Sequence, residues 1–246
     1  MKTIVFGCLK GGTGKTTICY NIAYTISLSG SRVLVCDFDY TQNNLSNLFN
    51  IDLSDYSTDK FLNGQLFKLS NNLFVLPTNP QCAELEYKIS TQLVKHQFIY
   101  QTVIQQFNSN FDYCLVDLSP SFSNFALNAY AFADIIASVV TPDYLSYQSL
   151  LATIAITNEI KSAINPKLKQ VGIINKYLSN RTTIEKFTTE IKNIIKCSPF
   201  PIPDKELLRR ATSLKKPVHT FYHQDYKLLK DLFQETTNFL IKELEE

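Results

Sequence analysis

Short apolar runs alternate along the chain with longer segments in which apolar residues recur at helical spacing. Six runs are rich in β-branched residues and almost continuously apolar, which is typical of parallel strands covered on both faces. Strands are predicted at Thr3–Cys8, Arg32–Asp37, Leu73–Leu76, Tyr113–Asp117, Ile135–Thr141 and Gln170–Asn175. Helices are predicted at Ile18–Ile26, Gln42–Phe49, Pro80–Ser90, Lys95–Phe107, Ser121–Phe132, Tyr144–Ile160 and Tyr226–Glu246. This order predicts an α/β fold: a doubly wound, mainly parallel sheet with helices on both faces.

Composition narrows the class of protein. The chain has 246 residues, 45% of them hydrophobic, and no linker rich in Pro, Gly or Ser divides it, so we expect one domain over residues 1–246. No apolar run approaches the roughly 18 residues of a membrane span, and Met1 and Lys2 lead directly into the first predicted strand. The six cysteines are scattered without CxxC spacing, which favours reduced, buried thiols over a metal site. We therefore expect a cytoplasmic protein.

Glycine is concentrated at the start of the chain. Four of the seven glycines lie within the first fourteen residues, and three of these fall in the segment Lys10–Thr17, KGGTGKTT, between a predicted strand and a predicted helix. Backbone N–H groups free of side chains, together with a helix N-terminus, favour a bound phosphate. Lys15 is expected to reach the β- and γ-phosphates, and the Thr16 hydroxyl to bind Mg²⁺. The predicted phosphate-binding residues are Gly11, Gly12, Thr13, Gly14, Lys15, Thr16 and Thr17.

Carboxylates follow two of the predicted strands. Asp37 and Asp39 end the second strand, and Asp117 ends the strand Tyr113–Asp117. Because ligands of such sheets bind at the carboxyl ends of the strands, we expect these acids beside the phosphate loop. There they would handle Mg²⁺ or a water molecule, and Asp117 has the placement of a Walker B carboxylate. The alternative is that these acids only cap neighbouring helices.

The segment KGGTGKTT resembles the deviant Walker A motif of the ParA/MinD family of P-loop ATPases, and DLSPS at residues 117–121 is similar to the DxxPS segment of that family. The resemblance implies an ATPase with ATP and Mg²⁺ as cofactors. It assigns Lys10 and Lys15 to the phosphates, Asp39 to the attacking water, and Thr16, Asp37 and Asp117 to the magnesium site. The residues after Asp39, YTQNNLS, depart from the proline and glycine that the family has there.

Two later segments are candidates for contacting the base. Asn175 ends a predicted strand where P-loop folds often contact adenine, and the segment PIPD at residues 201–204 resembles the family's IPR segment. The resemblance implies base contacts from Ile202, Pro203 and Asp204, although Asp204 stands where the family has arginine. Ordinary polarity at a strand end is the competing interpretation.

Basic residues are concentrated in one third of the chain. The net charge is only +2, but residues 161–216 contain 13 lysines and arginines against four acids. Such segregation is typical of a surface that faces a polyanion, and no residue here has the pattern of a base reader. The residues predicted to contact DNA without sequence specificity are Lys205, Arg209, Arg210, Lys215 and Lys216. The alternative is an ordinary solvated helix face.

The C-terminal segment Tyr226–Glu246 has an amphipathic helical pattern and ends in Glu243, Glu245 and Glu246. Helices that bind anionic lipid carry Lys and Arg on the polar face. An acidic end therefore predicts that this helix packs on the domain, and that membrane binding is not its role.

The resemblance to the ParA/MinD family implies a ParA-type partitioning ATPase. It would form an ATP-dependent sandwich homodimer, in which Lys10 reaches the phosphates of the partner subunit, bind DNA non-specifically on the nucleoid, and hydrolyse ATP slowly until stimulated by a ParB-like adaptor. The first alternative is a MinD- or flagellar-number-type regulator associated with the membrane. The second is a metabolic enzyme of the P-loop superfamily that uses ATP to activate a substrate.

Overall fold

The computed structural model describes residues 1–91, 95–179 and 181–246. In this part of the chain seven strands form one sheet in the order β3-β4-β2-β5-β1-β6-β7. The strands are β1 (Lys2–Gly7), β2 (Val33–Asp37), β3 (Phe67–Lys68), β4 (Leu73–Pro77), β5 (Tyr113–Asp117), β6 (Ile135–Val140) and β7 (Lys169–Ile174). The six predicted strands are confirmed. The two-residue strand β3 was not predicted, and it makes the single antiparallel pairing of the described sheet, with β4.

The register of the central strands brings the predicted site residues together. β5 lies between β1 and β2, and all three run parallel. Asp117 at the end of β5 is the neighbour of Phe6 in β1 and of Asp37 in β2. Two acids that are distant in sequence are therefore adjacent at the carboxyl edge of the sheet, next to the loop that follows β1.

Helices connect the strands and cover both faces. The α-helices are α1 (Lys15–Leu28), α2 (Asn44–Leu48), α3 (Thr58–Leu62), α4 (Cys82–Ser90), α5 (Asn124–Phe132), α6 (Tyr144–Ala163), α7 (Thr182–Ile194), α8 (Glu206–Ser213) and α9 (Lys227–Glu245). The stretch 95–107, predicted as helical, is helical but irregular: 3₁₀ turns at Lys95–Gln97 and Gln105–Phe107 flank a short segment that includes a π-helical turn, Tyr100–Ile104. Apolar periodicity alone does not distinguish these windings.

Successive strand residues enter opposite cores. In β1, Ile4 and Phe6 belong to the cluster that contains α1 and α9, whereas Val5 belongs to the cluster on the opposite face with α4 and α5. All three side chains are fully buried. The continuous apolar character of the strands thus follows from a sheet buried on both faces, and the predicted fold class is confirmed.

The C-terminal helix α9 packs against the domain. Leu229, Phe233, Leu240 and Leu244 are buried in the same core cluster as α1. No helix in the described ranges is long and apolar enough to cross a membrane. The prediction that the acidic C-terminal segment packs on the domain is confirmed, because its apolar face is already covered.

Phe233→Ala tests this packing. Phe233 has no exposed surface, and replacing it should lower the free energy of unfolding by about 3–5 kcal/mol, through lost burial and the cavity left behind. Leu228→Ala is the matched control, because Leu228 lies on the same helix but is 53% exposed, and it should change stability by no more than about 0.5 kcal/mol. Urea denaturation measures both variants. Equal effects of the two substitutions would contradict the packing of α9.

Candidate nucleotide-binding site

The loop between β1 and α1 requires glycine at two positions. Gly12 and Gly14 have φ angles of +75° and +94°, in the left-handed region that residues with a side chain disfavour. Gly14 is also the N-cap residue of α1, and a Cβ atom there would overlap the side-chain amide of Asn175. The loop therefore brings backbone N–H groups and the N-terminus of α1 to one place, as an anion site requires.

Lys15 is the buried cation of this loop. Only 6% of the residue is exposed, and its Nζ donates hydrogen bonds to the carbonyl oxygens of Cys8 at 3.1 Å and Lys10 at 3.3 Å. Burial lowers the pKa of Lys15, while the charge of Asp117 acts in the opposite direction. Backbone carbonyls thus hold the amino group at the site where phosphate is expected.

Asp117 and Thr16 form a direct contact across the site. The Thr16 hydroxyl donates to Asp117 Oδ2 at 2.7 Å, whereas Asp117 Oδ1 is buried and has no hydrogen-bond partner among the described residues. Burial, reinforced by the charge of Asp37, raises the pKa of Asp117 to about 8. A buried carboxylate oxygen without a donor, beside a hydroxyl oxygen, suits a hard cation.

The donor set at this point fits magnesium rather than a metal held by protein alone. In the described ranges no group of three or more His, Cys, Asp or Glu side chains is arranged to hold a metal ion. Mg²⁺ is usually bound by one or two carboxylates and completes its shell with phosphate oxygens and water. Asp117 and Thr16 therefore fit a cation that arrives with a nucleotide.

Asp37 is the neighbour of Asp117 on the adjacent strand β2 and is fully buried. Its Oδ2 accepts hydrogen bonds from the Ser46 backbone N–H at 2.8 Å and the Ser46 hydroxyl at 2.7 Å, and its Oδ1 accepts one from the Asp39 N–H at 3.2 Å. Burial raises the pKa of Asp37 to about 6, although the hydrogen bonds from Ser46 oppose that shift. Asp37 thus fixes the following loop to the sheet and places Asp39.

Asp39 stands at the wall of the cleft with 6% of its surface exposed. Its Oδ1 accepts hydrogen bonds from the Thr41 hydroxyl at 2.6 Å and the Gln42 N–H at 3.3 Å. Asn43 adopts a φ of +48° and donates from its side chain to the carbonyl of Thr78 at 2.8 Å. The segment that departs from the family pattern therefore forms an ordered turn that holds the Asp39 carboxylate.

These elements enclose a cleft of about 610 Å³. Its described lining comes from the phosphate loop, the turn after β2, the segment after β5, the end of β7 and helix α8. The lining residues are Gly11, Gly12, Gly14, Lys15, Thr16, Thr17, Asp39, Gln42, Asn44, Leu118, Pro120, Asn175, Lys176, Pro203, Asp204, Lys205, Leu208, Arg209, Thr212 and Ser213.

Three of the four residues predicted to contact the base line the cleft, and the fourth does not. Asn175, Pro203 and Asp204 line the cleft. The side-chain amide of Asn175 donates to the Thr13 carbonyl at 2.8 Å, and its Oδ1 has no partner among the described residues. Ile202 is fully buried and lies outside the described lining; its N–H donates to Ile174 at 2.8 Å, and its carbonyl accepts from Tyr177 at 3.0 Å.

The residues predicted to contact DNA divide into two groups. Lys205 and Arg209 line the cleft, and the guanidinium of Arg209 forms ion pairs with Asp204 and, at 2.9 Å, with Glu206. The other three are exposed and lie outside the described lining of the cleft: Arg210, Lys215 and Lys216. Arg209 therefore belongs to the wall of the nucleotide cleft.

Lys10 forms an ion pair within its own chain. Its Nζ donates to both carboxylate oxygens of Asp143, at 2.8 and 2.9 Å. Burial works against ionisation of Asp143, but hydrogen bonds from Lys10 and Thr141 outweigh it and lower the pKa of Asp143. Among the described residues, those that line the cleft do not include Lys10.

Sequence reasoning missed two residues at this site. Lys176 has a φ of +55°, lines the cleft and donates to the Gly12 carbonyl at 2.8 Å. Asp143 accepts the hydrogen bonds that Lys10 donates. Both lie just beyond a strand end, Lys176 after β7 and Asp143 after β6, so their position at the carboxyl edge was the available signal.

Comparisons with known proteins agree with this geometry. A family model described as "AAA domain" matches residues 1–170. The chromosome partitioning protein ParA of Myxococcus xanthus is 25% identical over 223 residues, which cover 85% of this chain and 77% of that protein. The ATP complex of a Cyanothece McdA variant superimposes with a TM-score of 0.85 at 19% identity, and the match covers 98% of this chain and 96% of that one.

The second solved structure is that of a synthase. Cobyrinic acid a,c-diamide synthase from Mycobacterium smegmatis, with bound ADP and magnesium, has a TM-score of 0.82 at 18% identity, and the match covers 100% of this chain and 96% of that one. At these identities both structural likenesses show the fold alone. The family match over residues 1–170, together with the similarity to ParA, shows that this chain belongs to the AAA-domain family and is a P-loop ATPase of the ParA/MinD type.

Proposed function

We propose that this chain is a partitioning ATPase that binds ATP with Mg²⁺, forms a homodimer with ATP, hydrolyses it slowly and retains DNA without sequence specificity. The observation that carries the proposal is that Lys15, Thr16 and Asp39 line one cleft at a glycine loop, with Asp117 buried next to them and hydrogen-bonded to Thr16. Lys15 begins α1, Asp39 follows β2 and Asp117 ends β5, and together they match the needs of phosphoryl transfer.

At the glycine loop, the cleft binds the phosphates of the nucleotide through opposite charge. Lys15 exchanges its hydrogen bonds to the loop carbonyls for bonds to phosphate oxygens, in which the acceptor as well as the donor carries charge. Thr16 and Asp117 would hold the magnesium ion, and Asp37 would support them from the adjacent strand. When bound, magnesium supplies positive charge to the β- and γ-phosphates. The wall formed by Asn175, Pro203 and Asp204 contacts the base, and Ile202 supports that wall from the core.

Asp39 is proposed to orient the attacking water. Its carboxylate is fixed by Thr41 and Gln42, so it can accept a hydrogen bond from water without reorganising. Positioning of this kind, without a strong base, supports slow intrinsic turnover. A ParB-like adaptor is proposed to accelerate it by rearranging the site.

A second copy of the chain is proposed to complete the site. Tyr144 and Leu145 follow Asp143 directly, and they are 59% and 66% exposed. Exposed apolar side chains next to the residue that pairs with Lys10 favour a partner that covers them. In the dimer, Lys10 contacts phosphates held by the partner and adds positive charge where negative charge concentrates during hydrolysis.

DNA retention is assigned to the exposed basic residues at the end of α8 and beyond it. Arg210, Lys215 and Lys216 are exposed. Lys205 adds charge at the edge of the cleft, whereas Arg209 is held by two acids. Phosphate contacts of this kind carry no sequence information and are weakened by salt. The protein would act in the cytoplasm on the nucleoid, and carry a chromosome, plasmid or other cargo.

Two other functions have less support. A MinD- or flagellar-number-type regulator needs a membrane-binding helix, but the apolar face of α9 is buried against α1. A metabolic ATPase needs a second substrate pocket next to the phosphates. The described lining of the cleft consists of the phosphate loop, the segments after β2, β5 and β7, and α8, and we assign it to the nucleotide.

Lys15→Ala tests the phosphate site. Removing the buried ammonium should weaken ATP binding about 100-fold or more, because each hydrogen bond to a charged group contributes roughly 1.5–3 kcal/mol. Isothermal titration calorimetry with Mg²⁺ measures the affinity. Lys227→Ala, which removes an exposed lysine from α9, is the control and should bind ATP normally. Tight binding by Lys15→Ala would refute the assignment of this loop.

Asp39→Ala separates binding from hydrolysis. The variant should bind ATP and dimerise, while its turnover falls about 100-fold, because a misplaced attacking group costs roughly that factor. Phosphate release measures turnover, and sedimentation velocity measures the dimer. Asp52→Ala removes an exposed acid and should leave both unchanged. Turnover of Asp39→Ala near that of the parent chain would remove Asp39 from the mechanism.

A charge-reversal triple variant tests DNA retention. Arg210→Glu, Lys215→Glu and Lys216→Glu together should weaken DNA binding at about 50 mM salt and lower the magnitude of the slope of log affinity against log salt by about 2.7, or about 0.9 per lost contact. ATP affinity should not change, because the three side chains lie outside the described lining of the cleft. Reversing Lys68, Lys95 and Lys227, which are also exposed, controls for net charge. Equal losses in the two triple variants would contradict a localised surface.

A further inference from the structure

The two lysines of the phosphate loop are both bound to protein groups of their own chain. Lys15 donates to the carbonyl oxygens of Cys8 and Lys10, and Lys10 donates to Asp143. Lys10 is therefore fixed at both ends, through its carbonyl by Lys15 and through its ammonium by Asp143. Two of the three N–H donors of this ammonium are directed at Asp143, so the carboxylate competes with any phosphate for Lys10.

The ion pair has the geometry of a specific contact. Lys10 Nζ approaches both carboxylate oxygens of Asp143, at 2.8 and 2.9 Å, and the Lys10 side chain is 28% exposed. A pair that is partly withdrawn from water and bonded to both oxygens is less weakened by solvent than a typical surface pair. It is strong enough to bias the position of Lys10 and weak enough to open.

Asp143 itself is held in place. It is the N-cap of the twenty-residue helix α6, and its Oδ1 accepts the Ser146 N–H at 3.0 Å while its Oδ2 accepts the Thr141 hydroxyl. The positive end of the helix dipole also favours a carboxylate at this position. The aspartate therefore cannot follow Lys10 when the lysine moves, so the pair must break.

We infer that Asp143 restrains Lys10 within its own subunit, and that ATP-dependent dimerisation requires Lys10 to leave Asp143 for the phosphates of the second copy. This inference rests on the proposed function. It assigns Asp143 as a positioning residue that sets how readily a nucleotide-loaded chain pairs, so that dimers form only when phosphate charge outcompetes the carboxylate. No covalent bond is broken or formed.

The substitution Asp143→Asn isolates the charge. Asparagine is as good an N-cap as aspartate, so α6 keeps its cap while Lys10 loses its ionic partner. Sedimentation velocity with ATP and Mg²⁺ should give a dimer dissociation constant about fivefold lower than that of the parent chain, as expected when each of the two subunits loses one partly exposed ion pair. In a Lys10→Ala background the same substitution should have no effect. Asp231→Asn, which removes an exposed acid from α9, should match the parent chain.

A second measurement does not depend on dimerisation. In the nucleotide-free protein, acetic anhydride should modify the Lys10 amine faster in Asp143→Asn than in the parent chain, as followed by peptide mass spectrometry. Unchanged or weaker dimerisation of Asp143→Asn, or unchanged reactivity of Lys10, would overturn the inference. If the parent chain does not dimerise with ATP, the proposed function fails, and the reactivity of Lys10 then judges the restraint by itself.

Discussion

Charge buried at the carboxyl edge of the sheet is the constraint on which the site depends. Asp37 and Asp117 are fully buried on adjacent strands, and Lys15 is almost fully buried beside them. Burial pushes the pKa of both acids upward and that of the lysine downward. Buried charge without full compensation is costly, so this edge favours a ligand that brings both anionic oxygens and a cation, as a magnesium nucleotide does.

The protein meets part of that cost internally. Ser46 donates a hydrogen bond to Asp37, and Thr16 donates one to a single carboxylate oxygen of Asp117. Backbone carbonyl oxygens accept the hydrogen bonds of Lys15. Three buried polar atoms at the site have no partner within the described residues: Thr13 Oγ1, Asp117 Oδ1 and Asn175 Oδ1. In native proteins such atoms are few. Their convergence around one glycine loop marks where the ligand completes the structure.

Helix α8 connects the cleft with the basic segment. Leu208, Arg209 and Thr212 line the cleft, whereas Arg210 is exposed. Arg209 is paired with Asp204, the residue that stands where the family has arginine. A basic side chain is therefore still present at this wall, but it is contributed by α8 and held by the acid. A nucleotide that contacts this wall would act on the same helix that presents Arg210 to solvent.

The sequence by itself determined the strands, the phosphate loop and the acids that end β2 and β5. These features are local: apolar runs, glycines and strand-end carboxylates are visible in a few consecutive residues. Tertiary structure alone decided that Ile202 is buried with its backbone groups used, that Arg209 belongs to the cleft, and that Lys10 binds Asp143. Lys10 and Asp143 are 133 positions apart, and no local pattern encodes their pairing. It arises because β6 lies next to β1 in the sheet, which places the start of α6 beside the phosphate loop.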